Sequence, residues 1–178
     1  FVTRSELKEQ ILQDIPEISP DKILTEPIGR DTAPCIGFAA IWIEKKMGDL
    51  PMAVLPSDHL IEDEEKFNLI IEAAIHQAEK DYLVTIGIKP TRIETGYGYV
   101  EVGEKITEYK KVPLYNLKRF TEKPSHKKAK EFVESGNFLW NAGIFAWRPS
   151  VILEEIRKYL PSLYKGLKKI RESLGTPE

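Results

Sequence analysis

Cysteine occurs once in this chain, at Cys35, which excludes an internal disulfide and any zinc site built on paired cysteines. A reducing, cytoplasmic setting is therefore expected. Histidine is almost as scarce: His59, His76 and His126 are scattered and form no clustered metal site. Long hydrophobic runs are missing too. The longest, Phe38-Ala39-Ala40-Ile41-Trp42-Ile43, is far short of the ~20 residues a bilayer span needs. Neither sign of charge dominates, since 26 Lys plus Arg balance 28 Asp plus Glu to a net charge of -2. That balance gives no basis for nucleic acid or an anionic membrane as partner. No GxxxxGK[ST], HExxH, GxSxG or GxGxxG motif is present, so P-loop, zincin, nucleophile-elbow and dinucleotide signatures are all absent.

What remains is a composition suited to a globular core: 178 residues, 42% hydrophobic and 10% aromatic. Lys and Glu are abundant while Gln is rare, a bias enriched in proteins from hot environments. Phe1 and Val2 read as the tail of a strand, followed by a capping-box pattern, Thr3-Arg4-Ser5-Glu6, that predicts a helix through Leu7, Ile11, Leu12 and Ile15. Leu174-Gly175-Thr176-Pro177 has the look of a linker after a helix. The expectation is an internal piece of a longer protein.

Between these ends the pattern alternates strand and helix. Strands are predicted at 22–26, 52–55 and 82–88, and helices at 32–47 and 64–81, the first apolar on most sides and hence buried. This order implies a parallel sheet with helices on both faces. Further on come strands at 97–102 and 114–122, a helix at 125–134, an apolar strand at 138–147, and helices started by Pro149 and Pro161. The class is thus α/β, with a mostly parallel sheet that becomes mixed towards its C-terminal side, and residues 1–178 form part of one domain.

Three segments carry candidate chemistry, because ligands of open α/β sheets sit outside the carboxyl ends of strands. Pro56-Ser57-Asp58-His59 follows a buried strand, where a carboxylate can hold a hard cation; an ordinary turn is the alternative. Glu26-Pro27-Ile28-Gly29-Arg30-Asp31-Thr32 runs into a helix N-terminus, which favours anions; capping by Asp31 or Thr32 is the alternative, and it leaves Gly29 and Arg30 unexplained. The third is dispersed over Gly96, Gly98, Glu122, Lys123 and Asn141. Lys123 can neutralise a phosphate, Glu122 can accept sugar hydroxyls, and Asn141 interrupts an apolar strand and needs a partner. A tight turn and a surface ion pair explain several of these equally well.

The stretches EPIGRDTAPCIGFAA (26–40), VLPSDHLI (54–61), VTIGIKPTRIETGYGYVEVG (84–103), RFTEKP (119–124) and FLWNAGIFAWR (138–148) together resemble mannose-1-phosphate guanylyltransferases, in order and across essentially the whole chain. The resemblance implies a Rossmann-like α/β nucleotidyltransferase domain that makes GDP-mannose and pyrophosphate from GTP and mannose 1-phosphate. By matching motif it assigns Asp58 to the catalytic Mg²⁺, and Glu26, Gly29 and Arg30 to the guanine nucleotide. It assigns Gly96, Glu122 and Asn141 to the mannose and Lys123 to its phosphate. Asp31 stands where the family usually has Asn.

The family's N-terminal glycine-rich loop and a later metal-binding carboxylate are not in this sequence, so residues 1–178 alone are expected to be inactive and to leave a strand's place open or filled by another chain. Competing readings are a metal-dependent glycosyltransferase and a non-catalytic sugar-nucleotide-binding module. A homo-oligomer is left open.

Overall fold

The computed structural model describes residues 1–174. Of the linker-like end, Gly175 to Pro177 lie outside the described residues. The chain divides into two compact units, one of Phe1–Leu50 with the chain from Arg148 onward, the other of Pro51–Trp147.

In the first unit, β1 (Val2–Arg4) pairs in parallel with β2 (Leu24–Glu26), bringing Arg4 opposite Glu26. The strand expected at Phe1-Val2 is present. The capping box is not. Thr3 is held in β1 opposite Thr25, and α1 (Lys8–Asp14) starts after a 3₁₀ turn with no side-chain cap. Helices α2 (Thr32–Met47), α5 (Pro149–Tyr159) and α6 (Pro161–Ser173) pack together. Gly37 permits their close approach, because a Cβ there would collide with Leu167. Ile36, Gly37, Ala40 and Ile41 of α2 are buried and the other residues of 33–44 are partly buried, so the helix is covered on most sides and exposed only at its ends. Pro149 and Pro161 open their helices as predicted, each in a first turn where a missing N–H costs nothing.

The second unit contains β3 (Met52–Val54), α3 (Glu64–Ala78), β4 (Val84–Ile88), β5 (Tyr99–Tyr109), β6 (Val112–Thr121), α4 (His126–Ser135) and β7 (Phe138–Trp147). β7 is its organising strand. Ala146 pairs with both Ala53 and Val84, and Trp140 pairs with both Ile88 and Tyr99. A strand has two edges, so β4 lies along one edge of β7 while β3 and β5 share the other. β3 and β4 therefore run the same way, as a strand–helix–strand unit requires, but β7 lies between them, antiparallel to both. The α/β class holds, but every strand pairing in this sheet is antiparallel, and the parallel pairing among the described residues is that of β1 with β2. The mostly parallel sheet expected from the strand–helix order is not found, because β7 inserts between β3 and β4.

Helices cover both faces of this sheet. Ala74 and Ala78 of α3 pack on Ala146, Val84 and Ile86. Ala129 and Phe132 of α4 pack on Tyr99, Phe138 and Trp140. Leu139, on the opposite face from its neighbours Phe138 and Trp140, lines a cavity of about 390 Å³ with Ile70, Ala73 and Ala74 of α3. In the β5–β6 hairpin, β6 lies close to the strand predicted at 114–122, whereas β5 runs on to Tyr109, well past the predicted end at 102. Tyr82, Leu83 and Ile88, expected in a buried strand, are about half exposed.

Candidate functional site

The shared edge of β7 contains a gap. β3 pairs with β7 only as far as Phe145, and β5 only as far as Trp140, so residues 141–144 have no strand opposite them on that side. At the same place β7 bulges. Between the Thr85–Phe145 and Gly87–Asn141 pairs it takes four steps against two on β4. Gly143 carries the bulge with φ of +69°, a left-handed backbone that suits glycine. A methyl built on Gly143 would lie 3.5 Å from Pro56 Cγ, so the turn after β3 borders the gap.

From the other side, Gly98 enters just before β5. Asn141 N–H donates to Gly98 O at 2.8 Å. The position a Gly98 Cβ would occupy lies 2.8 Å from Glu122 Oε2 and 3.5 Å from Asn141 Cβ. Glu122 and Asn141, 19 positions apart in sequence, therefore flank one buried glycine. Asn141 is half-buried, and its Oδ1 accepts from Thr85 Oγ1 at 2.8 Å. That bond meets part of its need for a partner and fixes the amide.

Lys123 follows Glu122 with φ of +41°, an unusual backbone for a side chain with a Cβ. Its Nζ is 3.9 Å from Glu122 Oε1, and both side chains are more than half exposed. The adjacent charges do form the ion pair weighed from sequence, but so loose a pair contributes little to stability. Gly96 is exposed and donates its N–H to Glu94 Oε1 at 3.0 Å. Asp58 lies in an exposed turn, two residues after Pro56, so the turn reading and the ligand reading describe the same geometry. Among the described residues no group of three His, Cys, Asp or Glu side chains is placed to hold a metal.

In the first unit, Glu26 ends β2, and Gly29 and Arg30 lie in the exposed loop that leads to α2. Asp31 occupies the N-cap position at φ of +62°, yet its side chain caps nothing. The capping alternative thus fails for Asp31, whose extended ψ turns it away from the helix, and the first N–H groups of α2 are left without that cap. A methyl on Gly29 would meet only Arg4 Cδ at 4.0 Å, so packing does not require glycine there. Burial pushes the Cys35 thiol up, and the Glu26 carboxylate adds to it, both favouring the protonated thiol.

Sequence reasoning missed Thr85, Glu94 and Tyr99. Thr85 and Tyr99 look like ordinary strand residues. Glu94, two positions before Gly96 and beside Thr95, had a readable signal: a carboxylate next to a glycine turn is a natural acceptor for backbone N–H groups.

Residues 2–174 match the nucleotidyl transferase family model. The chain belongs to the nucleotidyl transferase family. Among its relatives, the xanthan biosynthesis protein XanB of Xanthomonas campestris pv. campestris (strain B100) is 42% identical over 155 residues, which is 87% of this chain and 32% of that protein. A mannose-1-phosphate guanylyltransferase of Klebsiella pneumoniae is 38% identical over 146 residues, 82% of this chain and 31% of the relative. This nucleotidyl transferase chain thus spans about a third of the length of the curated relatives it matches. A Thermus thermophilus structure described as mannose-1-phosphate geranyltransferase superposes with a TM-score of 0.84 at 31% identity, covering 99% of this chain and 49% of that one. A Helicobacter pylori structure described as mannose-6-phosphate isomerase gives 0.81 at 34% identity, covering 97% and 64%. Among the described residues no helix is long and apolar enough to cross a membrane.

Proposed function

We propose that the full-length gene product transfers GMP from GTP to mannose 1-phosphate, releasing pyrophosphate and forming GDP-mannose, in the cytoplasm. The observation that carries this reading is the convergence of Glu122 and Asn141 on the buried Gly98, beside a gap in the β7 edge, in a chain whose relatives include mannose-1-phosphate guanylyltransferases. Both units are read as parts of one nucleotidyltransferase domain, since the family match runs through them.

A phosphate oxygen of the sugar phosphate attacks the α-phosphorus of GTP. The new P–O bond forms as the bond to the β-phosphate bridging oxygen breaks, and pyrophosphate carries that electron pair away. The protein's task is alignment and charge neutralisation, because the two reactants are anions that repel one another. Glu122 accepts hydrogen bonds from hexose hydroxyls, and the fixed Asn141 amide donates to a hexose oxygen. The Lys123 ammonium screens the sugar phosphate. Glu26, Gly29 and Arg30 are assigned to the nucleotide, with Arg30 offering a planar fork of donors.

A lone carboxylate outside any metal-ligand cluster does not make a dedicated metal cage. It does suit Mg²⁺, which takes one or two carboxylates and completes its shell with phosphate and water, so Asp58 would hold the ion. When bound, Mg²⁺ supplies positive charge to the phosphate oxygens.

The test is a turnover assay of the full-length gene product across nucleoside triphosphates and hexose 1-phosphates. Pyrophosphate release with GTP and mannose 1-phosphate is the expected result. Release of a free nucleoside diphosphate from a nucleotide sugar would move the protein to the glycosyltransferases, and ligand binding without turnover would make it a binding module.

A further inference from the structure

The glycine-containing segment 95–98 has no regular structure and two residues without side chains, so something outside it must hold its backbone. Two devices do. Tyr99, fully buried, accepts the Glu94 N–H at 3.2 Å and donates its own hydroxyl to Glu94 O at 2.8 Å, which closes the segment into a ring. Inside that ring the Glu94 carboxylate accepts the Gly96 N–H through Oε1 at 3.0 Å, and its Oε2 takes Arg92 Nη2 at 3.3 Å. Arg92 in turn lies 5.4 Å from the Trp140 ring and 6.0 Å from the Tyr97 ring, and Tyr97 meets Trp140 edge-on at 5.4 Å.

Two residues beyond Gly96 stands Gly98, whose carbonyl receives the Asn141 N–H and whose missing side chain leaves room for Glu122. Glu94 therefore holds one end of a short tether, and the groups assigned to the hexose hold the other. An exposed Arg–Glu pair alone contributes little. Here the carboxylate is bonded to the backbone of the loop itself, and its side chain is only 28% exposed.

We propose that Glu94 is a positioning residue for the sugar subsite: by fixing the Gly96 N–H it sets the path of the 95–98 backbone against Asn141 and Glu122, and so tunes affinity for the hexose phosphate. This rests on the functional reading above. Glu94 touches no reacting atom, and its contribution is to binding of the sugar phosphate rather than to the transfer step.

The experiment uses the full-length gene product and the variants Glu94→Ala and Glu94→Gln, since Gln keeps an acceptor oxygen for Gly96. Two readouts are taken, steady-state kinetics and hydrogen exchange of the amides in 94–98. In Glu94→Ala the KM for mannose 1-phosphate is expected to rise about tenfold, with kcat within about threefold and the KM for GTP within about twofold. Exchange at Gly96 should accelerate in Glu94→Ala, and Glu94→Gln, which keeps the acceptor oxygen but not its charge, should restore both protection and KM in part. If Glu94→Ala does not fold, Glu94→Asp, one methylene too short to reach Gly96, replaces it. An unchanged KM despite lost Gly96 protection overturns the proposal, as does a joint loss of kcat and of both affinities. A wild-type protein that turns over no mannose 1-phosphate overturns the functional reading instead; the exchange data then decide the tether, unchanged protection in Glu94→Ala refuting it.

Discussion

A methyl group on Gly98 would stand 2.8 Å from Glu122 Oε2 and 2.9 Å from Phe120 Cζ, closer than Cβ atoms tolerate. The glycine is there because a carboxylate occupies the space a side chain would need. Gly98→Ala should displace Glu122 and raise the KM for mannose 1-phosphate at least about tenfold at little cost in stability, since the Glu122 and Phe120 atoms it meets are ends of half-exposed side chains that can swing away. Calorimetry and sugar-phosphate titration on one variant check both effects.

Lys123→Met should weaken sugar-phosphate binding and spare GTP. A lost hydrogen bond to a charged group costs about 1.5–3 kcal/mol, or roughly 10–150-fold in affinity. Since the ion pair of Lys123 among the described residues is the loose one with Glu122, the protein's melting temperature should barely move. Equal loss for both substrates would reassign Lys123 to the nucleotide.

Asp58→Asn should leave the far-ultraviolet circular dichroism unchanged, because the residue sits in an exposed turn. Mg²⁺-dependent turnover should fall by about a hundredfold or more, the scale of losing one electrostatic stabiliser of the transition state. Activity within about twofold of the parent would remove Asp58 from the metal.

Acid should loosen the 94–99 ring. The Gly96 N–H, with Arg92 adding to it, holds the Glu94 carboxyl below its ordinary range. A depressed carboxyl stabilises the folded form above its unfolded pKa, and that contribution disappears as pH falls through the folded value. Amide exchange in 94–98, corrected for its intrinsic pH dependence, should therefore stay flat from neutrality to the ordinary glutamate range and accelerate below it. Glu94→Gln should remove the step.

Gly87→Ala tests the other edge of β7. Its Cβ would fall 2.5 Å from Leu139 Cδ1 and 2.8 Å from Leu139 Cβ, and the latter is close to the backbone and cannot swing away. A loss of about 1–3 kcal/mol is expected in denaturant melts, partly recovered by Leu139→Ala in the same chain.

How far these features could be read from sequence depends on how local they are. β7 is legible to the residue because ten apolar-rich positions are bounded by Gly136 and Pro149. The starts of α5 and α6 are fixed by their prolines. The extension of β5 to Tyr109 is not legible, since Glu104, Lys105 and Glu108 break the apolar alternation that marks a strand. The placement of β7 between β3 and β4 depends on pairings across many residues, which no local pattern encodes. At the site, Gly98, Glu122 and Asn141 could be named one by one from their residue types and the family resemblance. That Glu122 fills the space beside Gly98, and that Thr85 fixes Asn141, are facts of packing.

The place of β7 also has a consequence for synthesis. Met52 pairs with Trp147, 95 positions later, and β4 and β5 wait for the same strand. At about 5–20 residues per second, Trp147 is made roughly 5–19 s after Met52, and the second unit's sheet cannot close before then. During that interval β3 and β4 leave the ribosome with their β7-facing edges unpaired and the apolar faces of α3 uncovered. Every nascent chain therefore passes through a stage in which holdase chaperones, or neighbouring chains on the same polysome, compete with β7 for those edges.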